Sequence, residues 1–546
     1  MNPEQKEGIH RTVVQGQAVT NIQASPGTGK TETAANLITL EGVAQPGERI
    51  IVVAPTNLAG EKLGRGCVES LHRFGASEGE KYDILLLESR FAALSAAEKE
   101  TAVIKPIQEN DNIVEKLKLA YHVQKILDDI KVLESDKPDQ DFTKTAYPGW
   151  NKATKFQFER YLEAKARDST SRINEEFIID RVLDWHKIRV IICTMDLAIM
   201  RPKLYELCDI MVVEESGKSK QLQTLMMASR MVIKKLFLVG DTEQISPYRM
   251  RELRNAPDYN NVSVAEFVAA SAPWASVTLT TAYRFHPDIC RLISAAGYNN
   301  RLKPGVKAYQ RALLSGSNTF PLMKKGFPVM LIHQPGHTEK FLAHSSRNIE
   351  QCNMAMCAVE CLARVTVRAT VSICCYYAGD ATYLAETMQR AWGTIYPNAN
   401  PQDIVNLAGL QVRTVHGFIG QKTDIAIIVT GAKDGPSKTT DWLYASKPGN
   451  VAISRGKQGI IVIGNMNYLA DDRAGTLGNF VRLAAQECPI IDGDYFLKTM
   501  RNCKGNPLMY RNYISNKSEL LLYEKEYVSP KMLIAKCELN DVNRWV

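Results

Sequence analysis

A glycine-rich segment near the start of the chain has the residue types and spacing of a phosphate-binding loop. It reads ASPGTGKT over residues 24–31 and lies between an apolar run and a helical pattern, with Ala24 where glycine is usual. The glycines let backbone N–H groups face phosphate oxygens, and the next helix presents its positive end. Lys30 would reach the outer phosphates and Thr31 would bind Mg²⁺. The pattern predicts an ATP-binding loop formed by Pro26, Gly27, Thr28, Gly29, Lys30 and Thr31.

Two adjacent carboxylates follow a later apolar run, IMVV at residues 210–213. We expect Glu214 to hold Mg²⁺ and Glu215 to orient and deprotonate the attacking water. Asp is usual at the first place, so Glu214 sets its carboxylate one methylene further out. A strand that ends in solvated acids is the alternative explanation for this pair.

Short apolar runs and helical patterns alternate along the chain and would position these groups. The runs lie at residues 18–23, 50–53, 189–193, 210–213 and 235–239, and again at 329–332, 371–375, 425–429 and 460–463. Runs of this length are typical of parallel strands buried on both faces, so the fold class is α/β with two tandem domains. We expect domains at residues 1–260, with a helical insertion at about 78–187, and at 261–490, then an extension of unknown role at 491–546.

Composition limits the class of protein. The 546 residues are 45% hydrophobic and 23% charged, which favours two or more folded domains. No apolar run is long enough to span a membrane and no secretory signal begins the chain, so we expect an intracellular protein, cytoplasmic or nuclear. The 12 cysteines lack a CxxC pair, and we expect reduced thiols. The net charge of +8 permits a nucleic-acid partner without identifying one.

A third polar segment, VGDTEQISP at residues 239–247, resembles the third motif of the superfamily 1 helicases. The surrounding segments are similar to those of the group that contains senataxin and the RNA helicase of nonsense-mediated decay. Further motifs are matched in the family's order by residues 54–57 (APTN), 193–194 (CT), 282–287 (AYRFHP), 412–424 and 450–457. The resemblance therefore covers residues 2 to about 465.

The resemblance implies a fold, an activity and a set of site residues. It implies RecA-like P-loop domains that hydrolyse ATP with Mg²⁺ and move 5′ to 3′ along single-stranded nucleic acid, RNA in preference to DNA. Gln5 would read adenine, Tyr283 would lie near the base, and Gln244 would couple the γ-phosphate to nucleic-acid contacts. Arg284 and Arg455 would deliver positive charge from the second domain. The implied nucleic-acid contacts are Pro55, Thr56, Asn57, Thr194, His286 and Thr414.

Some residues depart from the family pattern. Ile419 and Lys422 replace Gln and Glu in the fifth motif, and Ala282 replaces Gln. These changes affect coupling more than phosphate chemistry, so an ATP-gated nucleic-acid clamp with weak or no unwinding is the alternative function. A metabolic P-loop kinase fits worse, because it would have no use for the second domain's motifs. The family's barrel and stalk before Gln5 have no counterpart in these residues, so the alternatives are a fragment, a truncated gene model and a minimal relative.

Two further alternatives concern single residues. The polar side chains assigned to nucleic acid could instead cap helices or turns. Histidines and cysteines between residues 333 and 361 could suggest zinc, but they lack the closely paired ligands of structural zinc sites and fit a buried helix face better. That group comprises His333, His337, His344, Cys352, Cys357 and Cys361.

Overall fold

The computed structural model of the chain describes most, but not all, of its residues. The described residues are 1–75, 83–88, 102–104, 112–136, 146–167, 173–247, 262–315, 324–341, 345–365, 369–395, 407–418, 421–431, 443, 445–470 and 475–502. Ile419, His344 and most of the expected extension at 491–546 lie outside them. Among the described residues, no helix is both long enough and apolar enough to cross a membrane.

A seven-stranded parallel sheet forms the first domain. Its strands in spatial order are β3 (Ile84–Leu86), β5 (Val190–Thr194), β2 (Ile50–Ala54), β6 (Ile210–Glu214), β7 (Lys235–Gly240), β1 (Val19–Ala24) and β8 (Ser276–Leu279). Every residue of β2, β5 and β6 is buried. Alternate residues of β2 enter two separate apolar clusters, so the sheet is covered on both faces, as the uninterrupted apolar runs predicted.

Several of the helices that cover this sheet begin at side chains suited to capping. The Asn2 carboxamide and the Ser263 hydroxyl each complete a capping box, and Thr56 accepts a hydrogen bond from the Ala59 N–H. The helices are α1 (Pro3–Ile9), α2 (Lys30–Ala44), α3 (Asn57–Arg73), α4 (Asn112–Leu117), α5 (Leu119–Asp136), α6 (Lys152–Ala166), α7 (Glu175–Trp185), α8 (Met195–Met200), α9 (Lys203–Glu206), α10 (Gln221–Ala228) and α11 (Val264–Ser271).

A second seven-stranded sheet forms the other domain. Its order is β18 (Ile490–Asp492), β11 (Val329–His333), β17 (Gly456–Gly464), β16 (Thr423–Val429), β14 (Ala369–Cys375), β15 (Leu407–Thr414) and β4 (Ala102–Ile104), and only β4 is antiparallel to its neighbour. Two short pairs, β9 (Thr281–Ala282) with β10 (Lys303–Pro304) and β12 (Thr338–Phe341) with β13 (Ser345–Asn348), accompany it. The helices are α12 (Pro287–Gly297), α13 (Ile349–Val365), α14 (Ala378–Ile395), α15 (Ser446–Ile453), α16 (Met466–Leu469), α17 (Gly475–Ala485) and α18 (Gly493–Asn502).

The region at 78–187 contains more than helices. Within it, β3 extends the edge of the first sheet and β4 pairs with β15 of the second sheet. Each strand has three residues, too few for a periodic signal. The sequence did not predict these strands, because edge pairing is decided by contacts far away in the chain.

One strand of the first sheet lies beyond the expected domain boundary at residue 260. Strand β8 is hydrogen-bonded to β1, and α11 also contacts β1 and β7. A boundary at residue 260 would separate β8 from the sheet it completes. We therefore propose a boundary after Leu279.

Candidate functional site: a cleft between two sheets

The glycine-rich loop joins β1 to α2 and has the backbone that phosphate binding requires. Gly27 and Gly29 have φ values of 83° and 84°, a region that favours glycine. A Cβ on Gly27 would lie 2.6 Å from the Cβ of Arg284, so no side chain fits there. No side chain caps α2, which leaves its N–H groups facing the cleft. The Thr28 hydroxyl instead donates to Ser25 O (2.8 Å) and closes the loop.

The two carboxylates at the end of β6 have different partners. Glu215 Oε1 lies 2.7 Å from Lys30 Nζ, and Glu215 Oε2 lies 3.7 Å from Lys218 Nζ. Although burial opposes its ionisation, Lys218 and Lys30 hold the pKa of Glu215 well below its usual range. Burial raises the pKa of Glu214, despite the nearby charge of Lys30. Glu215 is therefore the ionised member of the pair.

The oxygen ligands beside the loop fit Mg²⁺. The Thr31 hydroxyl lies 3.4 Å from Glu214 Oε1, and Glu214 Oε2 is buried without a hydrogen-bond partner among the described residues. A buried carboxylate oxygen without a donor is costly, and a hard cation would satisfy it. Thr31 and Glu214 thus suit the metal role predicted from the sequence.

Gln244 belongs to a hydrogen-bond network that crosses between the domains. Its amide donates to Asp241 Oδ2 (2.8 Å), and the hydroxyl of Tyr298, from the second domain, donates to the same oxygen (2.9 Å). Gln23 donates to Asp241 Oδ1 (3.2 Å). Burial raises the pKa of Asp241, whereas the charge of Lys30 and the hydrogen bonds from Gln244 and Tyr298 oppose that shift. Asp241 and Tyr298 were not singled out from the sequence, although Asp241 lies in the motif.

The two arginines of the second domain reach the cleft in different ways. Arg284 donates to Ser454 O (3.0 Å) and packs against the loop at Gly27. Arg455 is 2% exposed, and its guanidinium donates to three backbone carbonyls and to the hydroxyl of Ser454, all at 2.6–2.9 Å. A guanidinium has five N–H groups, so one is not engaged by any described residue. Arg455 is therefore part of the domain's framework as well as of the cleft.

These groups line one cleft of about 450 Å³ between the domains. The first domain contributes the loop, Glu215 and Gln244, and the second contributes Tyr283, Arg284 and Arg455. The structure thus brings together most of the residues predicted to act on phosphate; Thr28 and Glu214 are not among the residues that line the cleft. It adds lining residues that the sequence reasoning did not select, namely Glu32, Arg311, Asp424, Lys457 and Gln458. Lysines and arginines exceed carboxylates around the cleft, which suits a polyphosphate.

The predicted adenine-side residues also contact the loop. The Gln5 amide donates to Thr28 O (3.0 Å), and the backbone N–H of Tyr283 donates to Gly27 O (2.8 Å). Lys422, the charge-reversed residue, lines the same cleft. Burial and the nearby charge of Arg284 lower its pKa.

The predicted nucleic-acid contacts lie at loop positions, and several cap helices. Thr56 and Thr194 each accept a hydrogen bond from a backbone N–H in the first turn of the next helix. His286 caps α12 in the same way and is 2% exposed, and burial lowers its pKa. Thr414 accepts from the Gly417 N–H (3.3 Å). Because Ala54 and Thr194 are register partners, Pro55, Thr56, Asn57 and Thr194 lie along one edge of the first sheet.

The histidines and cysteines between residues 333 and 361, considered above as zinc ligands, have different surroundings in the structure. His333 accepts a hydrogen bond from the Met466 N–H (3.1 Å), and Cys352, Cys357 and Cys361 are buried on α13. Within the described part of the chain, no three His, Cys, Asp or Glu side chains are arranged to hold a metal ion. The ten described cysteines are buried thiols that form no disulfide with one another.

Comparison with known proteins gives matches along most of the chain. Two AAA domain family models match it, one over residues 1–251 and the other over residues 260–467. A regulator of nonsense transcripts 1 homolog from Neurospora crassa is 23% identical over 454 residues, 82% of this chain and 36% of that protein. ATP-dependent helicase upf1 from Schizosaccharomyces pombe is 24% identical over 485 residues, 86% of this chain and 45% of that protein.

Other matches cover less or are weaker. Helicase sen1 from Schizosaccharomyces pombe is 24% identical over 58% of this chain and 17% of that protein. A solved arterivirus nonstructural protein 10 helicase with DNA is 10% identical over 86% of this chain and 64% of that chain, at a TM-score of 0.33, too weak to support an argument. The chain spans less than half the length of these curated relatives.

The two family matches fall on the two parallel-sheet domains, which confirms the predicted tandem RecA-like P-loop architecture. The relatives and the motifs agree on one group. The chain belongs to the superfamily 1 helicases, a family of ATP hydrolases, in the group that contains the nonsense-transcript regulators and senataxin.

Proposed function

We propose that this chain is an ATP-driven motor that moves along single-stranded nucleic acid, RNA in preference to DNA, in the 5′-to-3′ direction, inside the cell in cytoplasm or nucleus. One observation carries the proposal. The phosphate-binding loop of the first domain and two arginines of the second line a single cleft. ATP bound there would touch both domains, so its cleavage would change how they are held together.

The chemistry follows from the positions of the side chains. The loop N–H groups and Lys30 bind the phosphates, and Thr31 and Glu214 would hold Mg²⁺, which supplies charge neutralisation when bound. The Glu215 carboxylate accepts a proton from water while the water oxygen bonds to the γ-phosphorus. The bond from that phosphorus to the bridging oxygen breaks, and ADP and phosphate result. Arg284 and Arg455 stabilise the charge that develops on the γ-phosphate oxygens.

The network at Asp241 offers a route from cleavage to movement. Gln244 lines the cleft, and Asp241 joins it to Tyr298 of the second domain. A change at the γ-phosphate that reorients Gln244 would alter this link between the domains. We propose that this link couples hydrolysis to domain movement.

The track would lie along the edge formed by Pro55, Thr56, Asn57 and Thr194, with His286 and Thr414 from the second domain. Polar groups there suit contacts to phosphate and sugar, which do not depend on base sequence. Thr56 is exposed and accessible, whereas Thr194 and His286 are buried and would act through backbone or loop geometry.

The test is steady-state ATPase activity with and without single-stranded RNA and DNA, over a salt series, because phosphate contacts weaken with salt. Strand displacement is measured on duplexes with 5′ or 3′ overhangs. RNA-stimulated turnover with displacement from the 5′ overhang supports the motor. Tight nucleotide-dependent binding without displacement would instead support the ATP-gated clamp, for which Lys422 in the cleft is the structural argument.

A further inference from the structure

Lys218 is a lysine of the site that the mechanism above does not use. Its side chain is 12% exposed, and its Nζ lies 3.7 Å from Glu215 Oε2, while Lys30 Nζ lies 2.7 Å from Glu215 Oε1. Each oxygen of the carboxylate therefore has its own lysine. Lys218 does not itself line the cleft, so it reaches the reaction only through Glu215.

A tight turn fixes Lys218 in this place. Glu215 has a φ of 54°, which is uncommon for a residue with a side chain. The Lys218 N–H donates to Glu215 O (2.8 Å), and the Ser216 N–H donates to Val239 O (3.0 Å). A Cβ on Gly217 would lie 2.4 Å from Asp241 O, so only glycine fits between the turn and β7. The backbone is thus locked in the one shape that turns Lys218 back toward Glu215.

Two negatively charged groups compete for Lys30, namely the Glu215 carboxylate and the phosphates of ATP. It faces Glu215 in this structure, but a loop lysine must contact phosphate oxygens when ATP is bound. As Lys30 turns toward the phosphates, Glu215 loses its nearer cation and faces a polyanion. A buried carboxylate in that position is unfavourable unless another positive charge stays beside it.

We propose that Lys218 is a positioning residue that holds the Glu215 carboxylate in place, oriented toward water, after Lys30 moves to the phosphates. Lys218 makes no contact with nucleotide; it is the fixed half of a two-lysine clamp, and Lys30 is the mobile half. The inference rests on the proposed ATPase function and adds a residue to it.

The test compares Lys218→Met with Lys218→Arg and with Lys234→Met in the full chain. Lys234 is a matched control, because it also pairs with two carboxylates, Glu48 and Asp209, but at a half-exposed surface site. Steady-state kcat and KM for ATP are measured with saturating single-stranded nucleic acid, and the Kd for ADP is measured with a fluorescent analogue. Melting curves establish folding.

We expect Lys218→Met to lower kcat by about 10-fold or more with KM and the ADP Kd almost unchanged, because only the orientation of Glu215 is lost. Lys218→Arg keeps the positive charge, so its kcat should fall clearly less. The kcat of Lys234→Met should equal that of the unmodified chain. Unchanged kcat in folded Lys218→Met overturns the proposal, as do equal losses in the Met and Arg variants. If Lys218→Met does not fold, Lys218→Gln takes its place under the same criteria.

The controls separate this inference from the proposed function. An unmodified chain without ATPase activity contradicts the function itself. If the unmodified chain hydrolyses ATP, Lys30→Met does not, and Lys218→Met hydrolyses ATP at the unmodified rate, only the role of Lys218 is contradicted.

Discussion

The two sheets have the same parallel architecture but present opposite ends to the cleft. The first sheet contributes the carboxyl ends of its strands, where Lys30 and Glu215 follow β1 and β6. The second contributes residues before the amino ends of β16 and β17, namely Lys422 and Arg455. In the proposed mechanism the first edge holds the phosphates and the catalytic acid, and the second supplies mainly cations, with Asp424 as a carboxylate among them.

The carboxyl end of the second sheet has a different character. It carries thiols and neutral polar groups, such as Cys375 at the end of β14, and the buried Asp380 in the first turn of α14. In the described part of that end, no loop has the GxGK spacing of residues 27–30. We therefore propose that one of two similar sheets forms the nucleotide site and that the other brings positive charge to it. The difference lies in the loops and not in the strands.

The strongest test of this division is Lys30→Ala. Turnover of ATP should fall by about 1,000-fold or more, because no other first-domain lysine in the described residues replaces Lys30 in the phosphate-binding loop. The melting temperature should change little, since the Lys30 side chain packs little apolar surface. ATPase assays and melting curves check both points. Near-normal turnover in the folded variant would end the P-loop assignment.

The second test contrasts the two arginines. Both Arg284→Ala and Arg455→Ala should lower kcat by about 100- to 1,000-fold, since each removes a cation from the γ-phosphate region. Only Arg455→Ala should also destabilise the protein, by about 2–3 kcal/mol, because it removes the buried guanidinium that donates to the carbonyls of Val451, Phe418 and Gln421 and joins these segments.

Melting curves distinguish these two variants. A fall in melting temperature of about 5–10 °C is expected for Arg455→Ala and about 2 °C or less for Arg284→Ala. Equal melting temperatures would show that the guanidinium of Arg455 is not a framework element of the second domain.

Much of this arrangement could be predicted from local sequence. The apolar runs located nine strands within a few residues, and motif order indicated that the phosphate-binding loop and the arginines would meet. Local sequence could not predict the positions of residues that depend on hydrogen bonding between strands far apart in the chain. Strand β4 crosses to the second sheet, and β8 belongs to the first sheet although it follows the expected boundary. Lys218 turns back only because Glu215 adopts a positive φ, which no local pattern indicated.

The third prediction concerns the neutral edge of the second sheet. Burial raises the pKa of Asp380 to about 7, although the Asn348 N–H and the Cys352 thiol favour its ionised form. The folded protein therefore keeps this proton to higher pH than the unfolded chain. The stability it contributes is complete below about pH 4 and is lost as the pH rises through 7.

Asp380→Asn should remove that pH dependence. At pH 8 we expect the melting temperature of the variant to exceed that of the unmodified chain by ~2–4 °C, with a smaller or reversed difference at pH 5. Asp184→Asn, at an exposed helical position, serves as the control and should show the same profile as the unmodified chain. A constant difference between pH 5 and pH 8 would contradict the assignment of a protonated Asp380.

The smallest expected effect concerns a contact between the domains away from the phosphates. Lys447 Nζ in α15 lies 2.8 Å from Glu266 Oε1 of α11, and both side chains are about one-third exposed. A partly exposed ion pair contributes roughly 1 kcal/mol or less and weakens with salt. Lys447→Ala should therefore change ATP turnover by less than about twofold, and high salt should remove the difference.

Tyr298→Phe is the matched test of the buried link. It removes the hydroxyl that donates to Asp241 and leaves that buried carboxylate with fewer donors, at a cost of about 1–3 kcal/mol. Because Asp241 also holds Gln244, we expect this variant to lose more nucleic-acid-stimulated turnover than Lys447→Ala while basal turnover falls less. If Lys447→Ala has the larger effect, the domains communicate through their outer contact, and the network at Asp241 only stabilises the interface.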